Sequence, residues 1–583
     1  MNNNSKSRSK RHTRGRAGTG VDVLVRILKM TFEYPGRMTI AMVASLLAVI
    51  FQLYVPQFLG SAVDNAYGLL SDGGSEEVAR RGLMTTGALL FGAMVLRGLL
   101  TMLHNYLGES VGQHIGYELR RAIYDKVQRQ SFHYHDHTHS GDLITRGMLD
   151  VEGVRLFVNT GIIRMIVLSM LIGVGAYLLL SADLLLGALA LSFVPFVGWR
   201  AIVARLSLRE SWHRLQDRLS VLTRVMEENL GGIRVVRAFA AQDHELAKFD
   251  KASERAEKLT RNRIGIRVRN GTIMTFSFFL SMGLVLWVGG QKTLSGEITV
   301  GGLTEFLTFM TILQMPVRRL GLLVNSIARA TTSGERLFHV LDHEEIIQDA
   351  PNAADLSVEE GVLKFENVDF AYRVSDDHVP ALHDVSFEVR RGQTLGIVGP
   401  PGAGKSTIAH LIPRFYDVSG GKITIDGQDI RDITLKSLRT EVRVIQQDMF
   451  LFTAGIEHNV AYGNPWADRD RIVSAAETAQ LHSYIDGLPR GYRTMVGERG
   501  VSLSGGQRQR LAIARTLILE PSIIVFDDST AAIDAATEQR IHSALRESSA
   551  DRITVIISHR LSSLMHAHEI LFIEDGRVVE RGS

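Results

Sequence analysis

Gly399-Pro-Pro-Gly-Ala-Gly-Lys-Ser-Thr407 decides how the C-terminal half of this 583-residue chain is read. It fits the pattern of Gly, four residues, then Gly-Lys-Ser/Thr, a loop whose backbone N–H groups turn inward on phosphates. Its flanks are the ones that mechanism requires. The β-type run Gln393–Val398 leads in and the apolar-periodic run Ile408–Phe415 leads out as a helix, so phosphate would meet backbone donors where the helix dipole favours negative charge. Gly399, Pro400, Pro401, Gly402, Ala403, Gly404, Lys405, Ser406 and Thr407 are therefore the expected ATP-binding loop. Lys405 would reach the terminal phosphates and the Ser406 hydroxyl would ligate Mg2+.

Further along, Ser522–Phe526 runs into Asp527-Asp528. Four apolar residues ending in a carboxylate place that acid at the carboxyl edge of a parallel sheet, where open α/β folds bind ligands. Asp527 is the expected second holder of Mg2+. Asp528 stands where a general base for the attacking water would sit.

The N-terminal half has another character. A hydrocarbon core about 30 Å thick needs around 20 apolar residues at the helical rise, and six stretches meet that length: Met38–Leu59, Gly82–His104, Gly161–Leu180, Asp183–Ile202, Thr272–Gly290 and Val300–Leu320. After about Ala330 no such run occurs. A mean hydropathy of +0.07 with 22% charged residues is thus an average of two unlike halves.

Charge sets the expected orientation. The short loops at Ser181 and around Gly290–Thr299 hold almost no Lys or Arg, whereas Arg120–Arg155 and Arg205–Arg269 are rich in both, which makes the long connections cytoplasmic. Each is long enough to be a helical hairpin projecting beyond the lipid. Arg97 and Glu305, inside spans, read either as pathway residues or as groups reaching for an interface. The first sixteen residues carry six basic groups and no acid, followed by an amphipathic stretch, Val21–Tyr34, in place of a signal-peptide core; a basic disordered tail is expected. A net charge of +3 gives no reason to expect nucleic acid, and zero cysteine excludes disulfides and thiolate-bound metals. His133, His135, His137 and His139 alternate around Asp136; four histidines with a carboxylate are a candidate set for zinc or nickel, and the alternation suits one face of a strand, yet the segment is expected to be a turn between long helices.

Leu503-Ser-Gly-Gly-Gln507, between the phosphate loop and Asp527, resembles the signature of ABC ATPases, and other family elements stand in the family's order. Tyr372 is similar to the aromatic that stacks on adenine. Gln447, in Val444–Asp448, resembles the glutamine that senses Mg2+, His559 the histidine that contacts the terminal phosphate, and Asp534 the loop exchanged between paired domains. Ser140–Arg146 with Asp150-Val-Glu152, and Gly231–Phe239, look like the two coupling segments of exporter half-transporters, and Val496–Gly500 like the segment that meets them.

The resemblance implies an all-α six-helix transmembrane domain with long cytoplasmic helical extensions, followed by an α/β P-loop ABC nucleotide-binding domain. The expected division is a tail at 1–20, the membrane domain at 21–330, a linker at 331–360 and the nucleotide domain at 361–583. It implies ATP and Mg2+ as cofactors, a lipid bilayer of the bacterial inner membrane, a small amphipathic substrate, and a second half-transporter whose ATP site is completed in trans by Leu503, Ser504, Gly505, Gly506, Gln507 and Asp534. Export is the leading expectation, with import or an ATP-gated regulatory half as the other readings. Two departures stand out. Asp528 occupies the place of the family's usual Glu, which predicts slow hydrolysis and favours a heterodimer over a homodimer; and Ser583 follows directly on the expected last strand, where the family commonly adds a helical tail.

The charge asymmetry is testable by labelling, since the chain has no cysteine of its own. A cysteine placed at Ser295 should react with an impermeant reagent only from outside, and one at Ser140 only from the cytoplasmic side; the opposite pattern would reverse the orientation.

Overall fold

The computed structural model describes residues 20–71, 76–374, 377–447, 449–497, 503–528, 533–547 and 552–583. The basic tail up to residue 19, Asp448, the Glu498–Gly500 part of the expected coupling contact and Ala531 lie outside them. The chain divides into two compact units, one of residues 1–128 and 141–343, the other of 129–140 and 344–583.

The first unit is helical. It begins with α1 (Gly20–Thr31), α2 (Pro35–Ser71) and α3 (Glu76–Arg129). After residues 129–140, which hold α4 (Phe132–His137), come α5 (Ser140–Thr145), α6 (Val151–Leu156), α7 (Ile163–Ala182), α8 (Leu184–Leu191), α9 (Phe193–Gly231), α10 (Ile233–Ala238), α11 (Gln242–Leu294) and α12 (Val300–Leu341). Among the described residues, six helical stretches are long and apolar enough to cross a membrane, and the six expected spans fall within them save for Asp183, which stands one residue ahead of the fourth. Several run far past the lipid-facing part: the 54 residues of α3 amount to about 80 Å of helix. The helix that begins at Val300 also continues to Leu341, well beyond Ala330.

Local chemistry explains the breaks. The fourth span is split at Ser192 because Pro195 has no N–H to give the carbonyl of Leu191. The loosened turn is held by hydroxyls, with Ser192 Oγ and Ser281 Oγ each donating to the Leu189 carbonyl at 2.7 Å. In the stem of the third span, two wider π-helical segments, Arg146–Asp150 and Phe157–Ile162, flank α6. At the start of α12, Asp64 accepts from Thr299 Oγ1 (2.7 Å) and from the Gly301 N–H (2.6 Å), which caps that helix from α2. α1 buries Val23, Ile27 and Thr31, and its Arg26 forms a two-bond pair with Asp342 while lying 3.9 Å over the Phe338 ring.

The second unit holds two sheets. A four-stranded antiparallel sheet has the order β2-β1-β4-β5, formed by β1 (Val362–Val374), β2 (Asp377–Arg390), β4 (Gly420–Ile425) and β5 (Gln428–Asp429). The six-stranded sheet has the order β10-β9-β3-β8-β7-β6, with β3 (Thr394–Val398), β6 (Val442–Ile445), β7 (Ile523–Asp527), β8 (Ile553–Ile557), β9 (Glu569–Glu574) and β10 (Arg577–Gly582). All but β10 pair in parallel. Every residue of β7 and β8 is buried, the continuous apolar run that a strand covered on both faces requires. One core packs the two sheets with α13 (Lys405–Leu411); a second packs α15 (Ile456–Val460), α16 (Arg469–Thr478), α17 (His482–Asp486) and α18 (Gly505–Leu517) against β6–β8, and α14 (Leu435–Glu441) precedes β6.

The stem of the third span depends on buried charge. Asp150, 2% exposed, accepts from Arg336 Nε (2.9 Å) and Nη2 (2.5 Å) and from Ser333 Oγ (3.0 Å) on α12. Arg155 donates to Glu109 at 2.5 Å and to Glu152 at 2.7 Å. Asp150→Ala leaves two donors without their acceptor and should lower unfolding stability by about 1–3 kcal/mol, read as a lower Tm in detergent; a Tm equal to that of the unmutated chain would show that the pair holds nothing.

Candidate nucleotide site

The strand order explains why residues far apart in sequence become neighbours. In β3-β8-β7-β6, four adjacent parallel strands, the carboxyl ends all face one edge. Gly399 follows β3, His559 stands two residues past β8, Asp527 ends β7 with Asp528 next, and Gln447 stands two residues past β6. Five of the expected residues thus leave the sheet along one row, where an open α/β sheet has its ligand crevice.

The loop's backbone demands glycine at two points. Gly404 caps α13 with φ +97°, and a Cβ there would lie 2.5 Å from the Ala381 carbonyl oxygen. A Cβ at Gly399 would meet the Ile573 carbonyl at 2.0 Å. Both positions let the chain pass close to neighbouring backbone while its N–H groups stay free to turn inward.

The side chains at the centre are buried and polar. The Lys405 ammonium, on a residue 6% exposed, donates to the carbonyls of Gly399 (2.9 Å) and Pro400 (2.7 Å). Burial pushes this lysine's pKa down, against the pull of the Asp528 and Asp527 carboxylates. A buried cation held by two neutral carbonyls is under-compensated, which suits an anionic ligand. Ser406 Oγ donates to Asp527 Oδ1 at 2.8 Å. Burial pushes the Asp527 carboxyl up, while Ser406, His410 and Lys405 favour its ionised form. Two oxygens this close, one hydroxyl and one carboxylate, are the donor set that a hard cation such as Mg2+ takes, so the residues fit the implied metal.

Asp528 adopts a left-handed backbone, φ +46°, and its N–H donates to the Ile557 carbonyl at 2.9 Å. Asp is among the few residues that tolerate this region. Tyr372 is half-buried at the end of β1. Its hydroxyl is 3.3 Å from Thr407 Oγ1, and its ring stands edge-on to Phe370 (4.8 Å) and Tyr416 (5.4 Å).

The signature residues lie elsewhere in the unit. Ser504 caps α18 in a reciprocal box: its Oγ accepts from the Gln507 N–H (3.3 Å), and Gln507 Oε1 accepts from the Ser504 N–H (2.8 Å). Leu503 packs in the second core, and Gly505 and Gly506 form the first turn. Asp534, exposed, accepts from the Thr537 N–H at 2.9 Å, which holds its carboxyl low. Among the described residues no hydrogen bond joins Leu503–Gln507 or Asp534 to the phosphate loop.

The histidine run is a short helix, α4, where a turn was expected. His133 and His137, one turn apart, have ring centroids 4.5 Å apart, whereas His135 sits edge-on to Tyr134. Among the described residues no three His, Asp or Glu side chains gather as a metal site.

The geometry has counterparts. The model for the ABC transporter transmembrane region matches residues 38–317, and that for the ABC transporter domain matches residues 382–531. The chain is 32% identical over 568 residues, 96% of each protein, to YgaD of Bacillus subtilis, provisionally named a multidrug export ATP-binding/permease protein. The chain belongs to the ABC transporter family. It is also 37% identical over 490 residues to YknU of the same organism, an uncharacterized ABC transporter ATP-binding protein, covering 84% of this chain and 83% of that one. A solved bacterial Atm1-family ABC exporter with ATP bound aligns with a TM-score of 0.72 at 30% identity, over 93% of this chain and 95% of that one. This ABC transporter is therefore of the exporter type, a multi-pass membrane protein whose ATP-binding domain drives transport.

Sequence reading passed over Tyr416 and His410, and took Asp136 only as the carboxylate within the histidine run. Arg414-Phe-Tyr-Asp417 was legible only as the exit from a helix. That its tyrosine faces Tyr372 depends on β1 lying beside it.

Proposed function

We propose that this chain is one half of a heterodimeric, ATP-driven exporter of amphipathic molecules in a bacterial inner membrane, and that its own phosphate loop forms a slow site. Asp528, directly after the buried Asp527, carries this reading. The names of YgaD and of the Atm1-family structure support export as the direction, and the likeness of this chain, with one membrane region and one ATP-binding domain, to them along nearly their whole length supports a dimer.

In this reading Lys405 binds the terminal phosphates and loses its two carbonyl partners to do so. Ser406, Asp527 and Gln447 hold Mg2+, which supplies charge neutralisation for the transferring phosphoryl group. Tyr372 stacks on the base, and His559 contacts the terminal phosphate. Leu503–Gln507 and Asp534 close over the nucleotide of the partner half, and closure of two such sites draws the long helices together until hydrolysis releases them.

Asp528 is one methylene shorter than Glu, so its carboxylate stops roughly 1–1.5 Å short of a water that a base must approach within about 2.6–3.2 Å. Misplacement on that scale costs on the order of a hundredfold in rate. The chain purified alone should therefore turn over ATP far below the roughly 1–100 s-1 common for phosphoryl transfer. Asp528→Glu should raise the rate, at a stability cost of roughly 1 kcal/mol for a longer side chain on a left-handed backbone. Brisk, substrate-stimulated ATPase activity of the unmutated chain by itself would overturn the slow site and leave a homodimeric exporter.

Lys405→Ala should weaken ATP binding at this loop more than Tyr372→Ala does, since base stacking is worth about 1–3 kcal/mol and the lysine's charge faces several phosphate oxygens. Equilibrium binding of ATP to each variant checks this, and an undiminished affinity in the lysine variant would defeat the assignment.

A further inference from the structure

Residues 129–140 connect the second and third spans in sequence, yet they pack with the nucleotide-binding unit. Their seat is aromatic. Phe132 stacks on Phe415 with centroids 4.2 Å apart and ring planes at 20°. Next to it, the Tyr416 hydroxyl donates to Asp136 Oδ2 at 2.5 Å. Burial and this carboxylate both push the Tyr416 phenol's pKa up, so the hydroxyl stays a donor at any physiological pH.

Tyr416 also forms a wall for Tyr372. The two rings meet edge to face at 5.4 Å and 84°, and both meet Phe370, at 4.8 Å from Tyr372 and 5.7 Å from Tyr416. Tyr372 is thus fixed from two directions, by Thr407 on the helix that follows the phosphate loop and by the Tyr416 ring. A cavity of about 270 Å3 lies beside them, lined by Phe370, Tyr372 and Tyr416 and, from the connecting segment, by Ser131 and His133. Ser131 is 8% exposed, and among the described residues its hydroxyl has no hydrogen-bond partner. The connecting segment therefore supplies one side of the space around Tyr372, and a carboxylate from the same segment anchors the ring against which Tyr372 leans.

We propose that the Asp136–Tyr416 hydrogen bond is a positioning contact for Tyr372, through which the segment between the second and third spans sets how tightly this chain holds the base of ATP. The proposal rests on the reading of Tyr372 as the base-stacking residue. Neither Asp136 nor Tyr416 need touch the nucleotide. Releasing the phenol frees the Tyr416 ring to turn, and an edge-to-face neighbour that turns no longer holds Tyr372 in one rotamer. The phosphate end of the site, built by Lys405, Ser406 and Asp527, stays as it was.

That separation gives the test. Full-length protein in nanodiscs is titrated with ATP and, separately, with inorganic tripolyphosphate, which carries the phosphates without a base. Tyr416→Phe and Asp136→Ala should each raise the Kd for ATP roughly three- to tenfold, the worth of one net hydrogen bond, and leave the Kd for tripolyphosphate unchanged. The double variant should be no worse than either single one, as expected of two residues acting through one contact. Tyr372→Ala serves as the reference. If it weakens ATP and the other two do not, positioning is overturned and stacking stands. If Tyr372→Ala leaves ATP affinity unchanged, the stacking reading falls and the proposal falls with it. Parallel loss of ATP and tripolyphosphate binding in Tyr416→Phe and Asp136→Ala would reduce the contact to general folding support, and would equally overturn it.

Discussion

A buried ammonium set beside two carboxylates is the constraint around which the nucleotide-binding unit is arranged. Lys405 is held by two backbone carbonyls beside a carboxyl, Asp527, whose ionised form burial disfavours. Each group taken singly is a cost, because the interior solvates a charge worse than water does. Together they offset one another in part, since the Lys405 charge favours the ionised Asp527 and both carboxylates favour the charged lysine. A nucleotide with its metal would fit such a site, its charges opposite to those of the lysine and of the Ser406–Asp527 oxygen pair. The neighbouring strands must hold these groups still for that to work. The fully buried β7 and β8 do so, since a strand covered on both faces has no room to shift.

The helical unit treats charge in the same manner for a different end. Helices such as α3, α9, α11 and α12 run well past the length a bilayer needs, so their outer turns meet water and must be joined by something other than lipid-facing contacts. Asp150 with Arg336, and Arg155 with Glu109 and Glu152, join them on the stem of the third span. Both sets sit on or beside the π-helical segments, where the wider turns already loosen the backbone ladder. There the side-chain pairs hold the stem to α3 and α12 where its backbone ladder is loosened.

How much of this could be read without coordinates differs by element. The phosphate loop was legible because three constraints coincide in nine residues: glycines for backbone approach, a lysine for charge, and a hydroxyl for metal. The six spans were legible because lipid imposes a length and a polarity that no other environment imposes for so long. Boundaries were less so. The last long helix continues to Leu341 because, beyond the lipid, it keeps an apolar face for α1 and α6, and amphipathic packing does not announce itself as hydropathy does. The histidine run read as a turn because six residues are too few for a period to show, and α4 is stabilised by Phe132 on Phe415 from a distant part of the chain.

The sequence by itself therefore determined the two halves, their order, the glycine-rich loop Gly399–Thr407 and the Asp527-Asp528 pair at the end of an apolar run. Each is a local statement, about residue type at a fixed spacing. Only the tertiary structure decided which of those residues stand together. The order β3-β8-β7-β6 brings Gly399, His559, Asp527 and Gln447 to one edge, and strand order is set by long-range pairing that leaves no mark on any one segment. The same holds for Asp136 beside Tyr416, 280 residues apart in the chain. A hydrogen bond across that separation costs loop-closure entropy that neither residue's neighbours can supply, so it exists only once the two sheets and α4 have already been packed into place.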